Sequence, residues 1–225
     1  MRKKKITRQD NFYFLFIALM SLFFASAVSQ QFHPEGQQSV LVMLILCLAF
    51  SIAGVNRANA FYRSWYGLLL VIAAISGLLE YLQEAKIALI TLTSLLIFVV
   101  SHTLSALKQI FENKEVSMNQ IVGSICVYML MGLTWAIMYL IQIELFPGAF
   151  HGIEGVVWMN NFFETLYFSF ITLTTVGYGD ISPALPIPKF FVFTQSLIGS
   201  FYVAILVASL VSSHLSQNAQ HPKQS

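Results

Sequence analysis

Asn161-Phe-Phe-Glu164-Thr-Leu-Tyr167-Phe168-Ser-Phe-Ile171-Thr-Leu-Thr174-Thr175-Val176-Gly177-Tyr178-Gly179-Asp180 is the stretch on which the architecture turns. Its apolar part, Thr165 to Gly179, is rich in threonine and glycine. It is also too short to cross a hydrocarbon core, which takes about 20 helical residues. Asn161 with Glu164 three residues later predicts a helix N-cap and capping box. About ten helical residues should follow, with the helix breaking at Gly177 and Gly179, where positive φ is cheap. Non-helical backbone at membrane depth is tolerated only where protein buries it or a water-filled cavity lines it. The stretch therefore predicts a re-entrant helix followed by an extended loop that returns to the same face.

The rest of the chain supplies the membrane setting. Of 225 residues, 57% are hydrophobic and 10% charged, whereas a soluble domain carries about 25% charged residues. Too little polar surface is left for a water-soluble globule, and disordered, collagen-like and nucleic-acid-coating classes are excluded on the same ground. A net charge of +2 offers no strong global field. Six charge-free windows remain: Asn11–Pro34, Gly36–Asn56, Ser64–Leu79, Ile87–Leu107, Val116–Ile143 and Phe190–Pro222. The third is short, but Arg63 and Glu80 can snorkel at its ends.

Lysine and arginine are segregated. Arg2, Lys3, Lys4, Lys5 and Arg8 precede the first window, Arg57 and Arg63 separate the second from the third, Lys108 and Lys114 the fourth from the fifth, and Lys223 follows the sixth. Lys86 and Lys189 alone fall on the other side. This predicts six spans with both termini cytoplasmic in a cell membrane. The expected fold is an all-α integral membrane protein: a four-helix transmembrane domain over 1–115 with a basic N-terminus, a pore-loop domain over 116–215, and a short cytoplasmic tail over 216–225. A competing reading takes the first window as a signal peptide cleaved near Ala25-Ser26-Ala27, against which its apolar run is long enough to stay as a span. Cys47 and Cys126 lie inside spans and read as small core residues, not as a disulfide or zinc ligands.

Residue types in the loop point to a particular chemistry. Stripping water from a potassium ion requires oxygens in similar number and spacing, and backbone carbonyls supply them without fixed charge if successive ones face one axis. Ordinary strands alternate their carbonyls. Glycines at every second position, Gly177 and Gly179, permit the alternating backbone that turns them inward, and the Thr175 hydroxyl adds an oxygen at the inner end. Val176 and Tyr178 then point outward.

The run Thr174-Thr175-Val176-Gly177-Tyr178-Gly179-Asp180 resembles the selectivity filter of the tetrameric potassium channels. The resemblance implies a homotetramer in the lipid bilayer with K+ coordinated by Thr175, Val176, Gly177 and Tyr178. It further implies Gly179 and Asp180 at the outer mouth, and Tyr167, Phe168, Ile171 and Thr174 as support, with Tyr167 and Phe168 packed around Tyr178. Some members of that family carry an acid, where this chain has Ile171, to hold the outer aspartate; Asp180 then needs another partner, for which the Tyr167 hydroxyl is a candidate. Gly199 falls where the family often places a hinge, and also reads as a close-packing residue. Ser200, Val203, Val207 and Val211 continue one helical face as candidate cavity wall and constriction. No proline lies between Pro188 and Pro222, so the Pro-x-Pro kink of voltage-gated relatives is missing.

The fourth window, Ile87–Leu107, contains no arginine or lysine. Each charge moved through the field is worth ~2.3 kcal/mol per 100 mV, so steep voltage gating is not expected. His102 is open to a pH-switch role but is read first as a residue bonded to nearby backbone or water. His151 is weak support for a metal or a pH sensor. The loop Pro147–Met159 reads as a turret and Pro183–Pro188 as a stiff return. No nucleophile triad, phosphate-cradling loop or carboxylate pair suggests an enzyme, and neither a cofactor, a nucleic acid nor a soluble substrate is called for. The function expected is passive K+ conduction; the alternative is a non-conducting or regulatory membrane subunit that keeps a channel-like loop.

Overall fold

The computed structural model describes residues 12–32, 67, 71–76, 78–79, 87–112, 118–153 and 158–220. In chain order these form α1 (Phe12–Phe32), α2 (Ala88–Glu112), α3 (Met118–Leu145), β1 (Phe150–His151), α4 (Trp158–Leu173), β2 (Ser182–Pro183) and α5 (Pro186–Gln220). Among the described residues, four helical stretches are long and apolar enough to cross a membrane: Phe12–Phe32, Ala88–Ile110, Met118–Leu145 and Pro186–Ser209. The second and third expected spans lie outside the described residues, apart from helical pieces at 67, 71–76 and 78–79.

α3 is the axis of the packing, with α1, α2, α4 and α5 all against it. α1 buries Phe12, Leu15, Leu19, Leu22, Ser26 and Ser29. That alternating three-and-four spacing draws one narrow seam along a helix, while Phe14, Ile17, Phe24 and Phe32 stay exposed on the other side. Its first amide, an orphan donor of any helix start, is met by α3: Phe12 N–H donates to Asn119 Oδ1 at 3.0 Å. The Phe12 ring lies over Gly123, where a Cβ would come within 2.8 Å of it. Phe23 meets Phe170 of α4 edge-on, with centroids 5.2 Å apart. α1 therefore docks on both α3 and the short helix. Cys126 is buried in that seam, its thiol directed at the Phe12 carbonyl at 3.5 Å. His102 is buried on α2 and stacked with Phe98.

Between α3 and α5 the chain makes a turn at Phe146–Ala149 and then folds back on itself. β1 pairs antiparallel with β2, Phe150 opposite Pro183 and His151 opposite Ser182, and Ala184 N–H donates to the Ala149 carbonyl at 2.9 Å. The turret is thus strapped to the segment that follows the loop. A Cβ at Gly152 would collide with the Asp180 carbonyl oxygen, so the strap sits tightly on the Asp180 end of that loop. α5 begins earlier than the charge-free window, at Pro186. Prolines 186 and 188 fit its first turn because the amides there have no helical acceptor. The helix also runs on to Gln220, through the first half of the expected tail.

Candidate functional site

α4 starts at Trp158, ahead of the expected cap. Trp158 and Phe162 are fully buried, and their burial draws the helix start forward. Asn161 is therefore inside the first turn and buried, its carbonyl accepting the Thr165 hydroxyl at 2.9 Å. This corrects the capping-box reading. Glu164 has a different partner: its Oε1 accepts from Gln30 Nε2 of α1 at 3.0 Å.

The other end of α4 builds the site. Every helix leaves its last four carbonyls without helical amides, and here each has a donor. Phe170 O takes Thr174 N–H at 3.0 Å and the Thr174 hydroxyl at 2.7 Å. Ile171 O takes two amides, Val176 at 2.8 Å and Gly177 at 3.1 Å. Thr172 O takes Thr175 N–H at 3.0 Å and the Ser196 hydroxyl of α5 at 3.4 Å. Leu173 O takes the Tyr128 hydroxyl of α3 at 2.9 Å. The loop is pinned at its Thr175 end by the helix that precedes it. Ile171, which has no side-chain acid to offer, contributes through its backbone oxygen.

Backbone torsions alternate along the loop. Thr175, Gly177 and Gly179 have φ of 61°, 56° and 85°, all in the left-handed region. The two glycines occupy it freely. Thr175, β-branched, does not, and such a residue costs on the order of 1–3 kcal/mol unless its surroundings enforce it. The enforcement is visible: the Thr175, Val176 and Gly177 amides are all tied to the last turn of α4. Glycine spacing could not reveal this third left-handed position, because no side-chain rule places threonine there.

Residues Thr174 to Asp180 are all exposed in the chain, Tyr178 at 73%. At the end of the loop away from α4 the Tyr167 hydroxyl donates to Asp180 Oδ2 at 2.8 Å. That bond holds the Asp180 carboxyl below its ordinary value and pushes the Tyr167 phenol up to about 12. Glu164 is shifted upward, first by burial and then by the nearby Asp180 charge. Phe168 departs from the expected cuff. It is buried, with its ring 5.3 Å from Tyr139 and 5.6 Å from Phe150, because α3 and the turret offer it an apolar pocket that the exposed loop does not. Any support it lends is to the scaffold.

On α5, Gly199 is buried against the end of α4, and a Cβ there would collide with the Leu173 carbonyl oxygen. The helix passes through it unbroken, so close packing accounts for this glycine. Ser200, Val203 and Val207 are exposed, as is most of α5 around and below them; the chain by itself does not single them out as a wall, and the side chain of Val211 lies outside the described residues. Four residues that pattern reading passed over also meet here: Tyr139, Ser169, Gln195 and Tyr128. The available signal was the polar run Thr194-Gln195-Ser196 near the start of a largely apolar window.

Residues 126–214 match the model of a family described as ion channel. The matched region runs from α3 through α4 and the loop into α5. Over 49 residues, 22% of this chain and 11% of the relative, it is 49% identical to a two pore potassium channel c of Oryza sativa subsp. japonica. Over 52 residues, 23% of each, it is 42% identical to a hyperpolarization-activated voltage-gated potassium channel of Methanocaldococcus jannaschii. The chain thus spans from about a tenth to a quarter of the length of these curated relatives. The matched segment is that of a channel, not an enzyme, in an integral membrane protein.

Proposed function

We propose that this chain conducts potassium passively through a pore built from four copies. Each copy contributes the loop Thr175–Tyr178, and four such loops around one axis supply the rings of carbonyl oxygens that replace the hydration shell of the ion. The observation that carries this reading is the left-handed backbone at every second residue, Thr175, Gly177 and Gly179, which turns successive carbonyls to one side. The names of the two relatives point the same way for this segment. The end of α4 adds to it: a helix C-terminus carries partial negative charge, and α4 ends at the inner end of the loop, where a cation would wait. The outer mouth keeps its own charge, since Asp180 is held ionised by Tyr167.

Conduction is not steeply voltage-dependent in this reading, because α2 has no arginine or lysine between Ala88 and Leu107. Both termini face the cytoplasm of a cell membrane, as the placement of lysine and arginine favours. The test is alkali-ion flux into liposomes holding the purified full chain, with valinomycin as positive control. Rubidium entry with sodium excluded is the expected result. A well-folded tetramer passing no ion would overturn it in favour of a silent subunit.

A further inference from the structure

Three helices meet at one buried amide. Gln195 of α5 is wholly buried, as are Tyr139 of α3 and Ser169 of α4. Gln195 Nε2 donates to the Ser169 carbonyl at 3.0 Å and to the Ser169 hydroxyl oxygen at 2.8 Å. The Tyr139 hydroxyl donates to Gln195 Oε1, and the Ser169 hydroxyl donates to the Gly132 carbonyl at 2.7 Å. The amide orientation follows from chemistry, because a backbone carbonyl only accepts: the nitrogen must face Ser169, so the oxygen must face Tyr139, and the phenol must donate.

We propose that Gln195 is a positioning residue for ion selectivity, fixing the depth and tilt of α4, and hence of the filter, against α5 and α3. Ser169 lies one turn before Thr172 and Leu173, whose neighbourhood holds the loop amides. Among the described side chains of α5, only Pro188, Gln195 and Gly199 are buried, and this bond set, the Gly199 approach and the Ser196 hydroxyl on the Thr172 carbonyl at 3.4 Å tie α5 to the short helix. A displacement of α5 reaches the loop through them. Away from water, none of the freed groups would find another partner, and a half-broken network of this kind loses more than one bond. Neither methionine nor glutamate can replace the amide. Methionine offers no strong donor, and a carboxylate would face a carbonyl.

The inference rests on the channel reading, and the experiment separates the two. Full-length wild type and the variants Gln195→Met, Tyr139→Phe, Ser169→Ala and Phe98→Leu are reconstituted in liposomes. Reversal potentials under opposed KCl and NaCl gradients are measured beside thermal melts. Gln195→Met is expected to lower the K+ to Na+ permeability ratio at least about tenfold, the scale of a lost buried hydrogen bond. Tyr139→Phe should lower it less, and the double variant should do no more than Gln195→Met, the non-additivity of shared partners. Phe98→Leu, a core change on α2, should lower the melting temperature and leave the ratio alone. If Gln195→Met melts early but keeps the wild-type ratio, the residue is merely structural and the inference falls. Should that variant fail to assemble, an unchanged ratio in both Tyr139→Phe and Ser169→Ala has the same force. A wild type that passes no ion overturns the channel reading itself, and this inference with it.

Discussion

α3 and α5 flank the same loop and are equally apolar, yet 56% of the spanning part of α3 is buried within the chain and only 11% of that of α5. Their composition cannot explain this. α3 is surrounded by α1, α2, α4 and α5, and presents Leu130, Leu133, Ile137, Tyr139 and Leu140 to them without exposure. α5 touches its own chain along a strip from Pro188 through Phe191, Gln195 and Gly199 to Tyr202, with Phe190, Phe193, Phe201, Ile205 and Val207 in the open. Hydropathy reports what a helix can cross, and says nothing of what covers it. A lipid-facing surface, a surface awaiting another copy and a surface lining a cavity are alike in one chain. On the proposed function, α3 is a protomer's core and α5 its contribution to the assembly.

Substitutions on the two helices should divide accordingly. The largest effect is expected from Gly199→Leu, since the side chain would strike backbone at Leu173; overpacking of this kind typically costs about 1–3 kcal/mol or more, and here it should abolish both assembly and flux, read by size-exclusion chromatography and rubidium uptake. Leu130→Ala on α3 should cost about 2–5 kcal/mol of stability, seen as a lowered melting temperature with the ion preference intact. Its counterpart on α5, Val203→Ala, should stay within about 0.5 kcal/mol in the same melt; a loss as large as that of Leu130 would mean that another copy covers Val203 and that it does not face the pore. Gln142→Leu sharpens the comparison in the other direction. Gln142 is buried on α3 with neither amide atom hydrogen-bonded, so removing the amide should leave stability unchanged or raise it by up to about 1 kcal/mol.

The smallest effects belong to the short helix α4 between the two. Tyr167→Phe removes the donor to Asp180. Because Asp180 titrates below its ordinary value in the folded chain, the bond stabilises above the usual carboxylate range and is lost as pH falls through the lowered value. The wild type should therefore melt above Tyr167→Phe at neutral pH, with the gap closing on acidification. Glu164 has the opposite sign. Its raised value means that the ionised carboxylate costs stability at neutral pH, so Glu164→Gln should melt slightly higher at pH 7 and no differently once pH is below the ordinary carboxylate value. Two melts at each of two pH values check both.

Much of the site was legible because its chemistry is local. The two glycines at alternate positions announce a backbone that leaves the ordinary regions, and the family resemblance, lacking its acid at Ile171, made Tyr167 a candidate partner whose hydroxyl lies 2.8 Å from Asp180. Other features were hidden because they depend on distant residues. Asn161 looks like a cap until burial of Trp158 and Phe162 moves the helix start. Phe168 looks like a filter neighbour until Tyr139 and Phe150 claim its ring. Thr175 has no sequence mark of positive φ; it is held there by carbonyls of α4. Gly199 reads equally as hinge or packing residue until Leu173 is seen beside it.

The order of residues by itself determined the apolar lengths, the charge asymmetry and the alternation of glycines, since each follows from a property of neighbouring residues along the chain: hydration, charge and backbone sterics. Tertiary structure alone decided which apolar faces are covered, which orphan carbonyls meet which hydroxyls, and that Tyr139, Ser169 and Gln195 share one amide. Those outcomes depend on groups up to 134 positions apart being brought within hydrogen-bond reach, and no local rule carries information over that distance.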